Sequence, residues 1–121
     1  MDTFGTLTIK PICLNTTRDT DAGKMDPYLK LKLGEEELKT KVYSGQQIDF
    51  DDEPFRVAIP PMASFTCVVM DDDFFCDDYV AQTVVPLQDA ISYGHTKETC
   101  ILTYEGENVG EVVFQLMFER N

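Results

Sequence analysis

The sequence holds a single histidine, His95, and that scarcity removes most enzymatic chemistry at the outset. Covalent catalysis needs a nucleophile beside a positioned base. His95 falls in a stretch that reads as a polar turn, far in sequence from any cysteine or serine of special context. A glycine-rich phosphate loop, a His-Glu-x-x-His pair and any Cys/His spacing suited to zinc are also missing. Paired carboxylates could serve a glycosidase, but that chemistry keeps one acid protonated in an apolar pocket, whereas the acidic stretches here offer solvent and like charges. The chain is therefore expected not to be an enzyme. Its four cysteines, Cys13, Cys67, Cys76 and Cys100, form no Cys-x-x-Cys pair, so they read as reduced and mostly buried thiols.

Positive charge is scarce as well. Ten Lys and Arg stand against 22 Asp and Glu, a formal charge of −12, which argues against nucleic acid as a partner. The same charge repels an anionic membrane unless it is switched locally, and a bound divalent cation is the simplest switch. No apolar run approaches the ~20 residues of a membrane-spanning helix. Residues 1–6 carry no basic region or apolar run of the kind a secretory signal needs, so a cytoplasmic location is expected.

What is present is a foldable chain. Its 121 residues, 43% of them hydrophobic, suffice for one domain, expected over residues 1–121, with a core that needs neither disulfide nor structural metal. Met1 reads as a natural start. Short strand patterns recur with turns between them, which predicts an all-β fold of about eight strands. Residues 4–14 place Leu7 and Ile9 inward, with Pro11 marking a bulge or an edge. Residues 28–33 alternate Leu29, Leu31 and Leu33 against Lys30 and Lys32; residues 38–42 alternate Leu38, Thr40 and Val42 against Lys39 and Lys41. Pairing of these two strands as a hairpin places the four lysines in one basic patch, or simply on a solvated strand face. Further strands are expected over 55–59, 65–69, 80–86, 99–104 and 112–118, with a turn over 106–110 and at most a helical turn over 87–92.

The stretch 70–81, Met-Asp-Asp-Asp-Phe-Phe-Cys-Asp-Asp-Tyr-Val-Ala, stands apart from this regular pattern. If a strand leads into it, side-chain alternation carries Asp71 and Asp73 to one face and Asp72 to the other. Carboxylates so close raise each other's pKa, so they need open solvent or a bound cation. Calcium suits them, since it accepts six to eight oxygens in irregular geometry. The plainer reading is a solvated acidic turn, against which Phe74 and Phe75 at its centre count as an anomaly.

Two motifs connect these observations. Met25-Asp-Pro-Tyr-Leu-Lys-Leu-Lys-Leu33 is similar to the Ser-Asp-Pro-Tyr-Val-Lys-Val signature of C2 domains, and Asp71-x-Asp73 followed by Asp78, Tyr-Val-Ala and Val85-Pro-Leu resembles that family's third calcium loop. The resemblance covers nearly the whole chain. It implies an eight-stranded antiparallel β-sandwich with Greek-key connections. The strand resembling 110–118 stands last rather than ahead of the first calcium loop, which implies the circularly permuted, type II arrangement. It implies two or three calcium ions held by Asp26, Asp71, Asp73 and Asp78, with Asp19 or Asp21 supplying the remaining carboxylate of loop one. The sequence departs from the family there: Thr20 stands six residues before Asp26, Asp78 lies one residue early, Ala81 replaces a glycine, and the second loop lacks its Asn-Pro-x-Trp. By the same resemblance Lys30, Lys32, Lys39 and Lys41 form a phosphoinositide-binding cluster. The function implied is calcium-dependent docking to phospholipid membranes with Phe74 and Phe75 inserting, by a monomeric peripheral protein. The alternative is a calcium-independent module that binds a protein partner.

Overall fold

A computed structural model describes residues 4–121; the first three positions of the expected 1–121 unit lie outside the described residues. The elements run β1 (Gly5–Thr16), β2 (Pro27–Leu33), β3 (Glu36–Lys39), β4 (Gln47–Asp49), β5 (Phe55–Ile59), β6 (Ser64–Asp71), β7 (Asp78–Pro86), α1 (Gln88–Tyr93), β8 (His95–Tyr104) and β9 (Glu107–Arg120). All strand pairings are antiparallel, along the path β3-β2-β6-β7-β8-β9-β1-β4, with β5 also on β1. The path curls into a sandwich at β7 and β8, which share only the pair Gln82 and Thr103. On one side of that seam lie β3, β2, β6 and β7; on the other lie β8, β9, β1, β4 and β5.

Alternation built the core as the sequence predicted. Leu29, Leu31 and Leu33 of β2, Phe65, Cys67 and Val69 of β6, and Val112, Phe114, Leu116 and Phe118 of β9 are all buried. The Phe65 and Phe114 rings meet edge to face across the two layers, with centroids 5.7 Å apart, the arrangement aromatic quadrupoles favour. Last strand pairs with first, from Gly5 and Arg120 through Thr16 and Gly110, and this ladder shifts register between Pro11 and Cys13. That is the bulge expected at Pro11, which has no N–H for a ladder, and the pairing is the permuted arrangement.

Four expectations need correction. Among the described residues there are nine strands rather than eight, the additional one being β4 inside the acidic connection. β3 stops at Lys39, short of Thr40 and Val42. There the Thr40 hydroxyl accepts the Leu29 N–H at 2.9 Å and donates to the Lys41 carbonyl at 2.8 Å, so a side chain competes with the ladder. His95 opens β8, paired with Met117, and is not in a turn. All four cysteines are free, but only Cys67 and Cys100 are buried, and Cys76 is exposed.

Candidate functional site

Three connections, residues 17–26, 40–46 and 72–77, meet at one end of the sandwich. The ladders that pair Pro27 with Asp71 and Asp71 with Asp78 bring the first and third side by side. The second is stitched to the first by the Tyr43 N–H on the Pro27 carbonyl (2.9 Å) and the Gly45 N–H on the Met25 carbonyl (2.8 Å).

Asp71 ends β6 and is wholly buried. One carboxylate oxygen accepts the Asp26 N–H at 2.8 Å, the other the Thr20 hydroxyl at 2.7 Å; a buried carboxylate needs such donors to be tolerated. The Asp72 N–H returns to the Asp26 carbonyl at 2.9 Å, and Asp26 Oδ1 accepts the Ser44 hydroxyl at 3.2 Å. Thr20, noted in the sequence only as a departure, is thus the hydroxyl that orients Asp71.

Asp21 is the residue that registers the cluster. Partial desolvation, then repulsion from Asp71, Asp73, Asp26 and Asp19, raises its carboxyl pKa above the usual range. Asp19 plays a different part: its two oxygens accept the N–H groups of Asp21 (3.1 Å) and Gly23 (2.6 Å), closing a turn in which Ala22 and Gly23 both have positive φ. The sequence left Asp19 and Asp21 as alternatives; Asp19 accepts two N–H groups of its own turn, while Asp21 is the carboxyl raised by partial desolvation and then by Asp71, Asp73 and Asp26 as well as by Asp19.

In the third connection, β6 ends at Asp71, so strand alternation does not orient Asp73. Asp73 Oδ1 accepts the Phe74 N–H at 2.6 Å, and the Asp73 N–H donates to Asp77 at 3.3 Å. Asp78 heads β7, half-buried, opposite Asp71. Asp77, which sequence reasoning passed over, accepts the hydroxyl of Tyr28. That bond, the Asp73 N–H, and the attraction of Lys39 and Lys30 hold its carboxyl below the usual range, while burial and the same bond push the Tyr28 hydroxyl up to about 12. The Tyr of Asp-Pro-Tyr was visible in the sequence; its partner was not, because nothing local separates Asp77 from Asp78.

Among the described residues, no three His, Cys, Asp or Glu side chains form a group that could hold a metal ion. The carboxylates are gathered but not converged. Their hard oxygen donors fit calcium in kind. Phe74 and Phe75 stand at the tip of this end, 92% and 91% exposed, their rings edge to face at 5.1 Å.

The four lysines do not form one patch. Lys30 pairs with Lys39 across the hairpin, while Lys32 lies opposite Glu37. Lys41, beyond the end of β3, forms an ion pair with Asp51 at 3.4 Å, and its N–H donates to Asp52 at 2.7 Å. The Tyr43 hydroxyl contacts the same two carboxylates, so Lys41 belongs to the second connection.

The profile of the family described as C2 domain matches residues 5–102. The chain belongs to the C2 domain family. This C2 domain superposes on the first-lettered C2 domain, domain A, of plant extended synaptotagmin 1 with a TM-score of 0.86 at 19% identity, covering 100% of this chain and 98% of that one. A C2 domain-containing protein from a putative elicitor-responsive gene follows at 0.83 and 22% identity, covering 98% and 91%. The calcium-bound pair of C2 domains, A and B, of extended synaptotagmin 2 gives 0.83 at 19%, covering 98% of this C2 domain and 47% of that chain. No curated protein sequence matches it. C2 domains are membrane- and lipid-binding modules. Among the described residues, no helix of this C2 domain is long and apolar enough to cross a membrane.

Proposed function

We propose that this C2 domain docks to phospholipid membranes when calcium binds between its first and third loops, and that Phe74 and Phe75 then enter the boundary between headgroups and acyl chains. One observation carries the reading: the carboxylates that raise the Asp21 pKa and the two most exposed aromatic rings share one end of the fold. Asp21, Asp26, Asp71, Asp73 and Asp78 would hold two or three ions, with Asp19 shaping the turn that presents Asp21. Calcium, when bound, supplies positive charge and vacant positions for lipid phosphate oxygens. The phenylalanines supply the apolar contribution, up to roughly 1.5–3 kcal/mol each when fully buried. Lys30 and Lys39, with Lys32 beside them, offer phosphoinositide headgroups charge-assisted contacts. The protein acts as a cytoplasmic monomer, recruited to the membrane surface.

A second reading, a calcium-independent module for a protein partner, is favoured by the oxygens of Asp71 and Asp19, which already accept protein hydrogen bonds. Liposome sedimentation in calcium and in chelator separates the two. The calcium reading expects pelleting only with calcium, abolished by Asp71→Asn/Asp73→Asn. It also expects that Phe74→Ser/Phe75→Ser leaves calcium affinity intact while pelleting falls. Pelleting indifferent to both chelator and the aspartate pair would sink it.

A further inference from the structure

Arg18, at the root of loop one, reaches across to the start of β7, just beyond loop three. Its Nε donates to the Val80 carbonyl at 3.1 Å and an Nη donates to the Tyr79 carbonyl at 3.2 Å. The guanidinium carbon lies 3.5 Å from the centroid of the Tyr104 ring, which is tilted against the Tyr79 ring at 6.0 Å. The Arg18 main chain is fixed as well, its N–H on the Thr16 hydroxyl at 3.0 Å and its carbonyl accepting the Gln46 amide at 3.1 Å.

Consecutive carbonyls of a regular strand point to opposite sides, so one guanidinium should not reach both Tyr79 and Val80. It does so because β7 is bulged there. Val69 pairs with Ala81 and Met70 with Tyr79, which leaves Val80 as the extra residue. A bulge leaves ladder groups unpaired and re-aims the strand beside it. The planar fork of arginine can satisfy two such carbonyls while its face stacks on an aromatic ring; a lysine can do at most one of these at a time. The bulge follows Asp78 directly, and Arg18 directly precedes Asp19.

We propose that Arg18 is a positioning residue of the calcium site: by clasping loop one to the bulged start of β7, it sets the separation and aim of Asp21 and Asp78. This inference rests on the calcium reading for its effect on affinity, and on the geometry alone for its effect on loop order. The extra residue at Val80 sets Asp78 opposite Asp71, and Arg18 is what holds that register in place.

The test uses the full chain as wild type, Arg18→Met and Arg18→Lys. Calcium binding is measured by titration calorimetry, unfolding by melting in chelator, and loop order by amide exchange over residues 19–25. Arg18→Met should weaken calcium binding about tenfold, within the range that orienting partners of metal ligands command, and speed exchange in loop one. Removing a positive charge beside a cation site by itself favours the cation, so a loss of affinity runs against simple electrostatics. Arg18→Lys should recover part of the affinity. Should Arg18→Met fail to fold, Tyr104→Leu, which removes the stacking ring and leaves both carbonyls, should show a smaller loss of the same kind. Calcium affinity equal to or above wild type in these variants overturns the proposal. A wild type that binds no calcium overturns the calcium reading instead, and the clasp then falls if loop-one exchange is unchanged by Arg18→Met.

Discussion

The Asp21 carboxyl has its pKa raised by partial desolvation and four carboxylate neighbours, so the fold favours its protonated form. Its contribution to stability is fully present below the ordinary value of 3.8 and is lost as pH rises through the raised, folded value. At neutral pH the ionised group works against the fold. Asp21→Asn should therefore raise the melting temperature in chelator while weakening calcium binding, since affinity follows ligand charge; differential scanning fluorimetry with and without calcium reads both signs. A lower melting temperature in chelator would mean that Asp21 supports the fold in a way its neighbours do not reveal. At this scale the sequence made some residues legible and not others. Asp71, Phe74 and Phe75 were visible because their chemistry is improbable for an ordinary turn. Thr20, Asp77 and Arg18 were not, because each acts through a partner distant in sequence: Asp71, Tyr28 and the carbonyls of Tyr79 and Val80 respectively.

Elements were predictable where alternation alone decides them and less so where side chains compete with backbone. β2, β6 and β9 bury the residues that a period of two selects. β3 was expected to run to Val42, because Leu38, Thr40 and Val42 continue the alternation. Instead the Thr40 hydroxyl and the Asp52 carboxylate take up the backbone groups that a longer strand would pair. Gly110 shows the converse, a position read as part of a turn that lies within β9 against β1. Its φ is +141°, and a Cβ there would sit 2.0 Å from the Asn15 carbonyl oxygen. Gly110→Ala should destabilise the domain by about 1–3 kcal/mol through backbone strain, with the clash adding to it. Urea unfolding should show a lower midpoint at an unchanged slope; a midpoint equal to wild type would mean that β1 gives way without penalty.

At the scale of the whole molecule, the net charge of −12 opposes anionic surfaces everywhere except where cations gather. The tip itself carries no lysine or arginine between residues 71 and 78, so the proposed docking there would depend on bound calcium and on two aromatic rings. Calcium-dependent pelleting with phosphatidylcholine vesicles should accordingly persist as sodium chloride rises from about 0.1 M to about 1 M, where exposed charge pairs are screened within about 3 Å. Binding that vanishes with salt, or that requires anionic lipid, would place the adhesion on the lysines of β2 and β3 instead. The all-β sandwich was legible because the buried faces of β2, β6 and β9 were written in the alternation. The curl was not, since it depends on how few pairs β7 and β8 share, and no local pattern encodes a missing partner.

The ladder between β1 and β9 makes partners of Gly5 and Arg120, and this bears on how the protein comes into being. β1 is made before the other strands of this domain and carries β4 and β5 on one edge, yet its other edge waits for β9. Contacts this distant in sequence slow folding, because loop closure must precede any reward from pairing. Until β9 is made, β1 keeps one long hydrogen-bonding edge unpaired, the kind of edge that invites pairing with another chain.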